Sequence, residues 1–120
     1  MTQQIAVRGG TIQKQLADDI KDSLTSDTCV VEKVTTLYME TDKGTATRSM
    51  SVHDTSYDSA RKTWTIVYKW AGDPPYVDTY YRRLELRTGS GKTYAVYEED
   101  FYVSSDVDTL EVIWEVYIRH

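Results

Sequence analysis

The sequence predicts a mainly β protein, an antiparallel sandwich or small barrel of six to seven strands with one short N-terminal helix. Three observations carry this. First, Thr109 to His120 reads T-L-E-V-I-W-E-V-Y-I-R-H, with Leu110, Val112, Trp114, Val116 and Ile118 on one face and Thr109, Glu111, Ile113, Glu115, Tyr117 and Arg119 on the other. Such a period of two is that of a pleated strand. Second, turn residues recur at regular spacing through residues 41–108. Third, helical periodicity occurs once, near the N-terminus. With 120 residues, the chain reads as one domain over 1–120, the helix at about 11–24 and strands from about residue 29 onward.

The elements follow in order. Gly9 and Gly10 break a first short extended segment. Thr11 then stands as an N-cap, and Ile12, Leu16, Ala17, Ile20 and Leu24 recur at helical spacing as one apolar stripe. Lys14 occupies the position where a capping box needs Glu or Gln. Asp18, Asp19, Lys21 and Asp22 fall on the polar remainder, and Thr25-Ser26-Asp27 ends the helix. Cys29, the only cysteine, excludes an intramolecular disulfide and reads as a small buried residue at a strand start.

The period then changes to two. Val30–Glu40 and Thr45–Val52 flank the turn Asp42-Lys43-Gly44 and form a hairpin. Asp54 to Lys62 is a polar loop. Thr63 to Trp70 is a strand with Trp64, Ile66, Tyr68 and Trp70 on one face. Pro74-Pro75 places Ala71–Pro75 in a loop, since prolines donate no ladder hydrogen bond. Val77 to Arg87 returns as a strand, with Leu84 and Leu86 sharing a face with Tyr80. Thr88-Gly89-Ser90-Gly91 turns it into Lys92–Glu98, a second hairpin. Phe101 and Val103 continue extended, and a polar loop, residues 104–108, leads to the last strand, whose second face offers Ile113 and Tyr117 to the helix or to a neighbour.

Composition limits function. A net charge of −5 disfavours nucleic acid or an anionic membrane surface as main partner. No stretch reaches the roughly 18 apolar residues of a membrane span, and the first residues lack the apolar run of a signal peptide, so synthesis and folding in a cytoplasm are expected. Ten tyrosines and three tryptophans against one phenylalanine suit strand propensity and half-exposed protein interfaces alike.

No catalytic, cofactor or metal signature stands out. G-S-G-K-T at 89–93 looks like part of a phosphate loop, but Leu86 stands where the first glycine belongs and the flanks are strands. Glu98, Glu99, Asp100, Asp106 and Asp108 read as solvated loop charge, with a hard cation as the rival reading. His53 and His120 sit in no ligand spacing. The run Tyr80-Tyr81-Arg82-Arg83, with Arg87, points to interstrand or intersubunit ion pairs and cation–π contacts rather than to bases. Trp70 and Tyr76 bracket a stiff Pro-Pro loop, read as a structural turn whose aromatics fold under it, with a rigid exposed contact element as the rival reading.

Within the second half, Leu84-x-Leu86, the Gly89–Gly91 turn, Tyr94 and Val96, and Thr109-Leu110-x-Val112-x-Trp114 together resemble a pattern in small structural proteins of tailed phages and tailed archaeal viruses. The resemblance spans about residues 80–118. It implies a non-enzymatic virion subunit (tail, fibre, baseplate or capsid decoration) that is located in the virion, forms homo-oligomers and contacts other virion proteins. On that expectation Trp70, Tyr76, Tyr80, Tyr81, Arg83 and Tyr117 are the interface candidates. A carbohydrate-binding or adhesion module, with Tyr and Trp rings stacking on a host-surface glycan, is the alternative. A small hydrolase using two of the acidic residues is the third.

Overall fold

The computed structural model describes residues 1–120. Two sheets face each other and no barrel closes. In chain order the elements are β1 (Thr2–Arg8), β2 (Thr11–Ile12), α1 (Lys14–Thr25), β3 (Val34–Thr41), β4 (Gly44–Ser49), β5 (Ser51–Asp58), β6 (Thr63–Gly72), β7 (Thr79–Thr88), β8 (Thr93–Tyr97), β9 (Phe101–Val103) and β10 (Thr109–Arg119). One sheet has the order β1-β10-β6-β5. The other has the order β2-β8-β7-β3-β4, with β9 also on β7. The expected sandwich is present; its ten strands exceed the six to seven of the sequence reading because short or polar segments also join the sheets. No helix is long and apolar enough to cross a membrane.

The final strand is central, not an edge. β10 pairs antiparallel with β6 and parallel with β1. Leu110, Val112 and Trp114 are fully buried, as alternation requires. Trp114 is the pivot between the sheets. Its ring N–H donates to the Gly9 carbonyl at 3.0 Å, and its ring meets Tyr97 edge-on at 6.3 Å. Directly over it the chain leaves β1 in one sheet and enters β2 in the other. Gly10 makes that step with φ +79, and a Cβ there would lie 2.9 Å from the Val96 carbonyl oxygen and 3.1 Å from the Trp114 ring.

A second crossing lies at Met50, between β4 of one sheet and β5 of the other. Met50 is buried and its N–H donates to the Thr35 carbonyl at 2.9 Å. Both expected hairpins form, β3–β4 and β7–β8.

Five sequence readings are corrected. Thr11 is not a helix cap: Thr11 and Ile12 pair with Val96 and Ala95 of β8, and the helix starts after Gln13 with no side-chain cap. The Gln13 N–H is instead satisfied by the Tyr94 carbonyl at 3.0 Å, so a ladder to β8 replaces the local cap. Residues 54–58 are strand, not loop. β5 is exposed throughout, so neither face carries the apolar alternation by which strands are recognised. Ala71 and Gly72 extend β6 rather than starting the loop. Cys29 is exposed, because β3 starts only at Val34.

The fifth correction concerns β7. A register shift where β3 meets β7 separates Glu40↔Arg83 from Thr41↔Tyr81. One extra residue inverts the alternation beyond it. Tyr81, not Tyr80, therefore joins Leu84 and Leu86 in the core, with no exposed surface. Its hydroxyl donates to the Tyr76 carbonyl at 2.7 Å and accepts from the Tyr76 N–H at 3.2 Å, clamping the Pro-Pro loop.

Gly10→Ala is expected to lower stability by at least about 1–2 kcal/mol, the cost of a left-handed backbone alone, with the contact to Val96 adding to it. Urea unfolding measures this, and an unchanged midpoint would remove the crossing from its role.

Candidate functional site

The sheets are splayed at one end, and α1 covers the gap only partly. The result is an apolar cleft of about 500 Å³. Leu86, Tyr94 and Ala95 form its floor; Ile66 and Tyr68 of β6 and Val116 and Ile118 of β10 form one wall; Ile12, Leu16 and Ile20 form the other. The cleft exists because β6 and β10 run on past the opposite sheet. Alternation keeps Trp64 and Ile118 on the inner face there, yet they are 46% and 50% exposed. The helical stripe has the same fate: Leu16 packs on the core, while Ile20 and Leu24 stay exposed.

A buried polar cluster holds the helix in place. Asp19 is 3% exposed. It accepts from the Tyr94 hydroxyl at 2.6 Å, the Lys92 ammonium at 2.9 Å and the Gln15 amide at 3.0 Å. The Tyr94 hydroxyl accepts in turn from the Glu32 N–H at 3.0 Å, and Lys92 also pairs with Glu32 at 3.1 Å. The Tyr94 hydrogen bond first, and the Lys92 ammonium second, hold the Asp19 carboxyl below the usual carboxylate range. Burial, then the hydrogen bond to Asp19, pushes the Tyr94 phenol up. Sequence periodicity placed Asp19 on the polar side of α1; that its partners lie 73 and 75 residues away leaves no local trace.

Charge at the rim is uneven. Glu32 is engaged by Lys92 and by the Ser90 hydroxyl. Lys33 and Arg119 also line the cleft, and neither enters any of the twelve ion pairs. Beside the cleft, Tyr57 packs on Trp64 at 5.0 Å and stacks on His120 at 5.8 Å. The Tyr57 hydroxyl and His120 Nε2 are 2.8 Å apart. This exposed aromatic group was not legible in the sequence, since it joins a segment read as loop to the final residue.

The six interface candidates do not converge. Tyr117 alone reaches the cleft; its hydroxyl donates to Glu115 at 2.6 Å. Trp70 lies against the core. The Tyr76 hydroxyl sits under Gly44, where a Cβ would come within 2.6 Å of it. Tyr81 is wholly buried and offers no surface. Tyr80 is exposed, edge-on to Tyr102 at 5.1 Å and 4.8 Å from the Arg82 guanidinium. Arg83 pairs with Glu85 and Glu98.

Of the two readings of the arginine run, the interstrand one is found. Arg82 binds Asp42 through two nitrogens and Asp100 through a third, tying the β3–β4 turn to the segment before β9. Glu85 is buried, and burial alone would raise its pKa. Donors from Arg83, Arg87 and Thr93 outweigh that and hold it below the usual range. Arg87 lies 3.8 Å over the Tyr38 ring. The acidic residues separate likewise: Glu98 to Arg83, Glu99 to the Tyr97 hydroxyl, Asp100 to Arg82, Asp108 to the terminal amine. No three His, Cys, Asp or Glu side chains form a group suited to a metal ion.

No family model matches the chain, and comparison with curated proteins and with solved structures finds no match.

A carboxyl held low by folding contributes stability that is present above its unfolded value and lost as pH falls through its folded value. Asp19→Asn is therefore expected to lower the urea midpoint at pH 7, and the gap from wild type to shrink as pH falls below about 4. A gap that stays constant to pH 2 would show that the Asp19 charge does not hold the helix.

Proposed function

We propose that this protein is a non-enzymatic structural subunit of a phage-like virion, part of a tail, fibre, baseplate or capsid decoration, working by oligomerisation and protein–protein contact. One observation carries the reading. β5 is an eight-residue edge strand whose side chains are exposed on both faces. Within the single chain it buries almost nothing, and its outer edge presents unpaired backbone groups. Native proteins blunt such edges with Pro, charged side chains (Lys above all), bulges or a covering element. Ser51–Asp58 carries no Pro and no Lys; Asp54, Asp58 and one bulge near His53 are its only guards, and residues 55–57 carry none. An edge of this kind suits strand pairing with a neighbour, in line with the Leu84–Trp114 pattern of virion proteins. The exposed Tyr80–Tyr102 pair and the Tyr57–Trp64–His120 group give further contact area rich in interface residue types.

The rival reading, a glycan-binding module, draws on the same exposed rings of Tyr57 and Trp64. One experiment separates the two. Native mass spectrometry of the wild type is expected to show a concentration-dependent oligomer. Thr55→Lys with Ser56→Lys, placed on the exposed edge, should shift it to monomer without changing the thermal midpoint by more than a few degrees. A strict monomer at high concentration would overturn the assembly reading, and a tryptophan emission shift on oligosaccharide titration would favour the rival.

A further inference from the structure

Resting on the assembly reading and going one step past it, we propose that β5 pairs with β5 of a second copy. The two strands run antiparallel about a two-fold axis with Thr55 opposite Thr55, and the two four-stranded sheets run on as one.

Backbone direction locates the open groups. In an antiparallel ladder a residue turns its N–H and C=O to one side and the next residue turns both to the other. On β10 the Glu115 carbonyl accepts from the Gly9 N–H, on the β1 side, at 2.7 Å, and the His120 N–H donates to the Lys62 carbonyl, on the β6 side, at 3.1 Å. Even-numbered residues of β10 therefore bond β6, at Tyr68, Ile66 and Trp64. The odd-numbered Val67, Thr65 and Thr63 turn the other way and bond Asp54, Ser56 and Asp58 of β5. Thr55 and Tyr57 are left with N–H and C=O aimed out of the sheet, within the stretch that carries no guard. Outside the ladders, no backbone hydrogen bond of the chain reaches either residue. The other long edges are encumbered. β1 carries the charge of Arg8, whose carbonyl accepts from Gly10 at 3.2 Å. On β4 the Thr47 and Thr45 carbonyls accept from the Arg48 guanidinium and the Tyr76 hydroxyl.

Charge selects the partner and the register. Identical chains most often associate about a two-fold axis, which sets one patch against itself. In such a pair of strands, residues facing each other must turn their backbone groups to the same side, so the axis passes through one residue position. Centring on Asp54 opposes Asp54 to itself. Centring on Ser56 opposes Asp54 to Asp58. Like charges directly opposite are destabilising, so both registers are disfavoured. Centring on Tyr57 runs Thr55 against Ser59, which lies in the turn after β5. Centring on Thr55 avoids all three. The two Thr55 residues then exchange a pair of backbone hydrogen bonds, and each Asp54 faces a Ser56 hydroxyl, a donor for its carboxylate. The strand is complementary to itself in this register alone. Thr55 and Tyr57 share a face with Ile66 and Trp64. Tyr57 and Trp64 are 43% and 46% exposed there, and a second copy beside them covers part of that surface.

The test is register-specific cross-linking of the full chain. Cys29 is exposed, so every variant carries Cys29→Ser, and a single cysteine then replaces Asp54, Thr55 or Ser56. In a thiol–disulfide buffer Thr55→Cys is expected to form a covalent dimer, because directly opposed Cα atoms lie within disulfide reach. Ser56→Cys alone, offset from its own copy, is expected to give at least about fivefold less. Mixing the Asp54→Cys chain with the Ser56→Cys chain is expected to give the cross-link that neither forms alone. Circular dichroism and the thermal midpoint establish that each variant is folded. An oligomer in native mass spectrometry, with Thr55→Cys linking no better than Ser56→Cys, would overturn the self-pairing and leave the assembly reading standing. A strict monomer at high concentration would overturn both.

Discussion

The packing of Trp114 under the Gly9–Gly10 crossing is the contact on which the two sheets depend. A tryptophan with no exposed surface requires both a cavity of its size and a partner for its N–H. The Gly9 carbonyl is that partner, and it is available only because the chain crosses there from β1 to β2. The crossing in turn needs a residue without a Cβ at position 10. Each requirement fixes the next, so the first ten residues and the last twelve are placed together. Parallel pairing of β1 with β10 follows from that placement.

What the crossing leaves open matters as much. The sheets meet tightly around Trp114, Leu110 and Leu37 and splay toward Trp64 and Ile118. The one helix is too short to fill the gap, and it is held by a polar cluster rather than by its whole apolar stripe. A buried carboxylate tolerated for its three donors positions α1 so that Leu16 packs while Ile20 and Leu24 do not. An apolar cleft results from this compromise, at the opposite pole from the strongly paired Arg82 and Arg83 networks. The protein thus has one face locked by salt bridges and one end where apolar side chains stay exposed.

Legibility in the sequence followed burial. The final strand and the two hairpins were legible, because one face of each is core and the other is not. β5 was not, because a strand exposed on both faces has no hydrophobic period. The inversion at Tyr81 was not, because a bulge adds one residue and the pattern Tyr80-x-x-x-Leu84 looks regular without it. Asp19, Tyr94 and Lys92 each looked ordinary, as their link spans more than seventy residues. Of the six interface candidates, the buried Tyr81 was misplaced by that bulge, and only Tyr117 borders the cleft.

By itself the sequence determined the mainly β class, one short helix, the turns at Asp42–Gly44 and Gly89–Gly91, and the apolar inner face of β10. These are local properties: side-chain alternation and turn conformations act over a few residues. Tertiary structure alone decided which sheet each strand joins, that β10 is central and β5 an edge, where the sandwich stays open, and which charges remain unpaired. Those depend on contacts between distant segments, Gly9 with Trp114 and Asp19 with Lys92, whose energies have no expression in the order of neighbouring residues.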